Sequence, residues 1–194
     1  TVLVEEPLNP TSNVFIVSSD KDFIQLVTDK IIVYRPIEKE YYTPKTVKNK
    51  FGVLTKNFIL YKTLLGDNSD KVPGVKGLGP KGIFKKFPEL LEKELTLDDI
   101  FDISALKFKE HIVYSRIIQD RDKIKNTFKI MDLSKPMIDD REVKYLENLI
   151  EQDLPELNSK HFINLYEEDK LGGMIRNLEY WVRDNFTQFK GYKN

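Results

Sequence analysis

The sequence predicts an α/β protein, part of a parallel sheet followed by a mostly helical region. Two observations carry this. A short apolar run, "NVFIVSS" (Asn13 to Ser19), leads at once into the amphipathic stretch "DKDFIQLV" and then into a second β-branched run, "KIIVYRP". Strand, helix and strand in so few residues make the unit from which parallel sheets are built. From Pro44 onward apolar residues recur at helical spacing and are punctuated by glycines.

Taken in order, "TVLVEE" reads as the end of a helix that leads into the first strand. "NVFIVSS" has the continuous apolar character of a buried, central parallel strand. Ser19 or Asp20 is placed to cap the helix that follows, with Phe23, Leu26 and Val27 on one face. "KEYYTP" reads as a short third strand at an edge, and Tyr41 and Tyr42 suit it. Pro44 suits a first helical turn, and that helix ends at Gly52. "TKNFILYKTLLG" carries apolar residues at Phe58, Ile59, Leu60, Leu64 and Leu65 and stops at Gly66. Short helices follow in "PKGIFKKF", with Phe84 and Phe87 as core, and in "DDIFD". A long helix is expected around "ALKFKEHIVYSRIIQD", then a loop or short extended piece at "FKIMDLSKP", then helices at Tyr145 to Asp153 and Asn177 to Phe189. Three regions are expected: 1–66 as α/β core, 67–135 as a helical domain and 136–194 as a helical extension, in which no chemistry is readable from 141 onward.

Bulk composition narrows the function classes. Net charge is zero, with Lys+Arg and Asp+Glu both at 31, so any nucleic-acid surface must come from local segregation of charge. No cysteine is present, which excludes disulfides and thiolate metal sites and fits a cytoplasmic setting. No apolar run approaches the roughly 18 residues of a membrane span. His111 and His161 lie far from the acids in sequence and read as structural or surface residues.

Two pairs of carboxylates stand at element boundaries. Asp20 and Asp22 lie where a parallel strand ends, the place where ligands collect in open α/β sheets. Two acids there repel each other unless a cation sits between them, and Mg²⁺ is the natural hard ion. The alternative is a helix cap plus a favourable first-turn acid. Asp67 and Asp70 fall on one face if their turn is helical; the alternative is a turn of solvated acids. Two such pairs together suit a shared metal site for phosphodiester hydrolysis, in which two ions about 4 Å apart activate water and stabilise the leaving oxygen.

"GLGPKG" (Gly77, Gly79, Gly82) formally matches a dinucleotide fingerprint, but that reading needs a strand before Gly77, where Pro73 and Gly74 mark a turn. A tight glycine turn between short helices fits better. It leaves room for a phosphate backbone at a helix start. From Lys71 to Lys86 the chain carries five lysines (Lys71, Lys76, Lys81, Lys85, Lys86) and no acid, a patch suited to gripping phosphates without reading sequence. The plain alternative is a solvated lysine face.

"VSSDKDF", then "GDNSDKVPGVKGLGPKG", then "FKIMDL" resembles the 5′ nuclease (flap endonuclease, 5′-3′ exonuclease) superfamily over roughly residues 13–135. It looks most like the phage 5′ nucleases such as the T-even phage ribonuclease H, and like the 5′ nuclease domain of bacterial DNA polymerase I. The resemblance implies a PIN-like parallel-sheet core and a helix-three-turn-helix DNA grip. It implies two divalent ions, Mg²⁺ or in its place Mn²⁺, held in part by Asp20, Asp22, Asp67 and Asp70. Lys62 resembles a lysine near the scissile phosphate; a helix lysine extending along the surface is the equal alternative. Lys71, Val75, Lys76, Gly77, Gly79, Lys81, Gly82, Lys85 and Lys86 look like the duplex-binding hairpin, where family members also hold a monovalent cation such as K⁺.

Two positions depart from the family pattern. Lys71 stands where the family has Asn, and the family's further acids lie upstream of the "VSSD" strand. The chain is therefore expected to be the C-terminal portion of a longer nuclease, or a separate chain that needs an N-terminal partner segment. Expected partners are duplex or flap DNA, an RNA–DNA hybrid, and a single-stranded DNA-binding protein or other replication partner, in the cytoplasm (the host's, for a phage-encoded chain). The competing class is a non-catalytic duplex-binding module that uses the same hairpin.

Overall fold

The computed structural model describes residues 13–135, 137–152 and 158–186. The chain divides into two compact units, one ending at Met137 and the other beginning at Ile138. The predicted "TVLVEE" helix end lies outside the described residues.

The first unit opens with strand β1 (Val14–Val17), a 3₁₀ turn (Lys21–Leu26), β2 (Ile31–Arg35) and β3 (Glu40–Tyr42). β1 pairs parallel with β2, and β2 pairs antiparallel with β3. The strand–helix–strand reading therefore holds, and β3 is the short edge strand expected. β1 differs from expectation. Among the described residues it is the other edge of a three-stranded sheet rather than a central strand, and Phe15 and Val17 are exposed. Among the described residues only the face carrying Ile31, Val33 and Tyr42 is packed, whereas a continuous apolar run suggests cover on both. The turn after β1 is tighter than an α-helix, so three-residue spacing buries Ile24 and Val27 where Phe23 and Leu26 stay half-exposed.

Helix α1 (Pro44–Phe51) begins on Thr43, whose hydroxyl accepts from the Thr46 amide, and closes at Gly52 with φ 71°. Helix α2 (Phe58–Leu65) follows a 3₁₀ turn (Thr55–Asn57) and buries Phe58, Leu60 and Leu64. The buried Asn57 amide fastens its start. Nδ2 donates to the Leu90 and Lys93 carbonyls at 3.0 and 2.7 Å, and Oδ1 accepts from the Leu95 amide at 2.9 Å. Gly66, at φ 78°, ends α2 and begins a two-residue ribbon, β4 (Gly66–Asp67) against β5 (Val72–Pro73). Helix α3 (Pro80–Lys86) follows a glycine loop, with Pro80 as its first residue as predicted.

Helix α4 (Leu97–Leu106) carries a reciprocal Thr96–Asp99 capping box. The long helix expected next is broken. The backbone turns at 107–110, His111 is extended and caps α5 (Ile112–Gln119) by accepting from the Val113 amide, and α6 (Arg121–Met131) starts directly after Asp120. "FKIM" lies inside α6 rather than in a loop. Ile124 and Met131, seven apart, are buried, and Phe128 packs on the core between them. The apolar period runs from the end of α4 into α5 because both helices cover the same core, so periodicity alone joins those two.

The second unit contains α7 (Asp140–Glu151), α8 (Ser159–Glu168) and α9 (Leu178–Phe186). The sequence predicts helices in the regions of α7 and α9, and α8 falls within the helical extension expected over 136–194. Phe162, Trp181 and Phe186 hold α8 and α9 together, with the Phe162 and Trp181 rings 6.3 Å apart. The predicted helix ends at Asp153 and beyond Phe186 lie outside the described residues.

Candidate phosphodiester cleft and DNA-binding hairpin

Parallel strands β1 and β2 end side by side. Beyond their carboxyl ends opens a cleft of about 650 Å³, closed on the far side by α2 and the β4–β5 turn. Its walls include Ser19, Asp20, Arg35, Tyr61, Lys62, Asp67 and Asp70.

Asp20 caps the 3₁₀ turn. Its Oδ1 accepts the Asp22 amide at 2.8 Å, so the capping reading describes Asp20 while its exposed side chain still borders the cleft. The cap also orients Asp22, whose carboxylate turns toward α2 and pairs with the Lys62 ammonium. Lys62 is buried on α2, and its Nζ also lies 2.7 Å from Asp67 Oδ2. Asp22 and Asp67, far apart in sequence, thus meet over one cation. Asp67 Oδ1 accepts the Ser69 amide at 2.8 Å and the Ser69 hydroxyl. The Lys62 ammonium and, after it, the Ser69 hydroxyl hold the Asp67 carboxyl well below the ordinary carboxylate range.

Asp70 lines the cleft but is exposed. It does not share a helix face with Asp67, because Gly66 stops α2 and the pair stands on a turn. Arg35 is a residue that the sequence reading misses. It is buried at the end of β2, its Nη2 donates to the Ser19 carbonyl at 2.6 Å and its Nη1 pairs with Glu38 at 2.7 Å. Its place at the carboxyl end of the second parallel strand is the signal available in the sequence.

The donor chemistry fits a hard divalent cation, since two carboxylates already converge on one positive centre. Among the described residues, however, no three acids or imidazoles gather around one point. Asp22 and Asp67 are the two carboxylates that could contribute to a larger coordination set.

The hairpin runs from β5 into α3. Val75 is buried, its amide donates to the Leu64 carbonyl at 2.8 Å and its carbonyl accepts from Leu78 at 3.0 Å. Of the predicted DNA-binding residues it is therefore the one turned inward. Lys71, Lys76, Lys81 and Lys85 are exposed. Lys86 is half-buried over the Tyr114 ring, whose hydroxyl donates to the Lys86 carbonyl at 3.0 Å. Gly77 has φ 88°, and a Cβ on it would meet the Arg116 guanidinium at 2.9 Å. That guanidinium donates to the Lys76 carbonyl at 2.7 Å and so clamps the glycine turn to α5, an interaction that no sequence pattern announces. Around Gly79 the space is open, and Gly82 packs loosely on Leu78.

No family model matches the chain. The chain superposes on bacteriophage T5 5′-exonuclease, solved with divalent zinc bound, with a TM-score of 0.54 and 24% identity over 63% of this chain and 44% of that one. A T5 flap endonuclease solved with DNA and metal ions gives a TM-score of 0.52 at 20% identity over 63% of this chain and 43% of that one. Sequence gives the particular relation. The chain is 35% identical over 129 residues to the 5′-3′ exonuclease of Buchnera aphidicola, covering 65% of this chain and 43% of that protein. It is 39% identical over 99 residues to DNA polymerase I of Bacillus subtilis, covering 49% of this chain and 11% of the polymerase. The chain is thus a homologue of 5′-3′ exonucleases, and the resemblance drawn from its motifs is correct. It spans less than half the length of these relatives. Among the described residues no helix is long and apolar enough to cross a membrane.

Proposed function

We propose that the chain carries the hairpin and part of the metal site of a structure-specific 5′ nuclease that hydrolyses phosphodiesters in DNA or RNA primers. The observation that carries this reading is the meeting of Asp22 and Asp67 at the cleft, in the same segment that continues into the lysine hairpin. Mg²⁺ is the ion the oxygen donors suit, and when bound it would activate water and neutralise the developing charge. Asp22 and Asp67 would hold it, with Asp20 and Asp70 adding negative potential at the mouth. Arg35 fixes the strand end by its bond to Ser19. Lys71, Lys76, Lys81 and Lys85, with backbone turned at Gly77 and open space at Gly79, form the helix-three-turn-helix grip on duplex downstream of the cut.

Cleavage of a 5′-flap duplex by the full-length or assembled nuclease tests this. Asp67→Asn with Asp70→Asn is expected to lower kcat by at least about 100-fold, in line with loss of electrostatic stabilisation of a developing charge, while duplex binding in EDTA persists. Undiminished cleavage overturns the metal role, and salt-dependent binding without any metal-dependent cutting overturns the catalytic reading.

A further inference from the structure

Lys62 stands where a site for cations would be expected to stay open. Its ammonium is buried between Asp22 and Asp67, with side-chain exposures of 10%, 23% and 16% for the three residues. Two carboxylates this close need a positive charge between them, and removing it leaves them repelling in a poorly hydrated place. The chain supplies that charge itself, from a helix whose end is fastened at Gly66 and whose start is fastened by Asn57. Lys62 also borders the cleft, so its ammonium has open volume to move into without unwinding α2.

Building on the metal-site reading above, we propose that Lys62 is a resident counter-ion, which a divalent cation must displace to take Asp22 and Asp67 together. Metal entry and lysine release are then one exchange. A double charge replaces a single one between the carboxylates, and the freed ammonium is delivered into the cleft. The exchange keeps the two acids in place when no metal is bound, and it weakens metal binding by the free energy of the ion pairs that must be broken.

The sign separates this from a lysine that only touches substrate or only stabilises the fold. Binding of Mn²⁺ is measured by calorimetry and by electron paramagnetic resonance for the wild type, Lys62→Met, Lys62→Gln and Asp67→Asn, each checked for folding by circular dichroism. Lys62→Met and Lys62→Gln are expected to bind Mn²⁺ about tenfold more tightly, equivalent to about 1.4 kcal/mol, and Asp67→Asn more weakly. On the wild type alone, amine acylation read by mass spectrometry is expected to modify Lys62 several-fold faster when Mg²⁺ is added. Unchanged or weaker binding by the Lys62 variants, with binding still lost in Asp67→Asn, overturns the exchange and leaves the metal site standing. No Mn²⁺ binding by any of the four proteins overturns both. Lys62 reactivity unmoved by Mg²⁺ also overturns the exchange.

Discussion

The acidic and basic ends of the segment from Gly66 to Lys86 are built by opposite means. At the acidic end charge is enclosed. Asp67 and Asp22 close on a buried lysine, and the backbone around them crosses so tightly that a Cβ on Gly74 would lie 2.1 Å from the Leu65 carbonyl oxygen. At the basic end charge is displayed. Lys71, Lys76, Lys81 and Lys85 are exposed, and only their backbone is held, by Val75 beneath and Arg116 beside. Geometry at the first end depends on packing, so mutations there should cost stability. Affinity at the second depends on the number of free charges, so mutations there should cost binding and little else.

The largest expected effect tests the enclosed end. Gly74→Ala forces β5 away from the end of α2 and is expected to cost about 3 kcal/mol or more, read as a lowered midpoint in urea unfolding. A loss below about 1 kcal/mol would mean the crossing yields easily. Next, Asn57→Ala removes a buried amide with three hydrogen bonds and leaves the Leu95 amide without its acceptor. It is expected to cost about 2–3 kcal/mol without altering the salt dependence of duplex binding.

The displayed end should answer the other way. Lys81→Ala with Lys85→Ala is expected to lower the slope of log affinity against log salt by about 1.8, at about 0.9 for each phosphate no longer neutralised, and to leave unfolding within about 0.5 kcal/mol of wild type. An unchanged slope would mean these lysines face solvent alone.

The smallest effect is a pH dependence at the enclosed end. Asp67 has its folded-state pKa lowered by Lys62, so it binds its proton less readily when folded. Its contribution is present above the unfolded value of about 3.9 and disappears as pH falls below that value toward the folded one. In EDTA the stability difference between wild type and Asp67→Asn should be flat from pH 7 to about 5 and shrink below about pH 4, by about 1 kcal/mol. A difference that grows on acidification would reverse the assignment.

Much of this architecture is legible in the residues. Local rules place β1, β2, β3, α1, α2 and α3, because each depends on nearby signals: β-branched runs, Thr43 and Pro44 at a helix start, Gly52 and Gly66 at helix ends. The same rules run the end of α4 into α5 across a break that only His111 marks, and they read "FKIM" as a loop although it lies inside α6. The order of acids and glycines is enough to suggest the exonuclease relation. It is not enough to show that Asp67 and Asp70 part company, since that follows from a single left-handed glycine.

The sequence by itself therefore determined the local elements, the segregation of five lysines without an acid, and the motif order that points to 5′ nucleases. Only the tertiary structure decided that Asp22 reaches Asp67 through Lys62, that Arg35 closes the strand end and that Arg116 clamps the glycine turn. Each of these joins residues distant in sequence. Composition and spacing record which groups are available, but proximity and desolvation, which set their chemistry, exist only once the chain is packed.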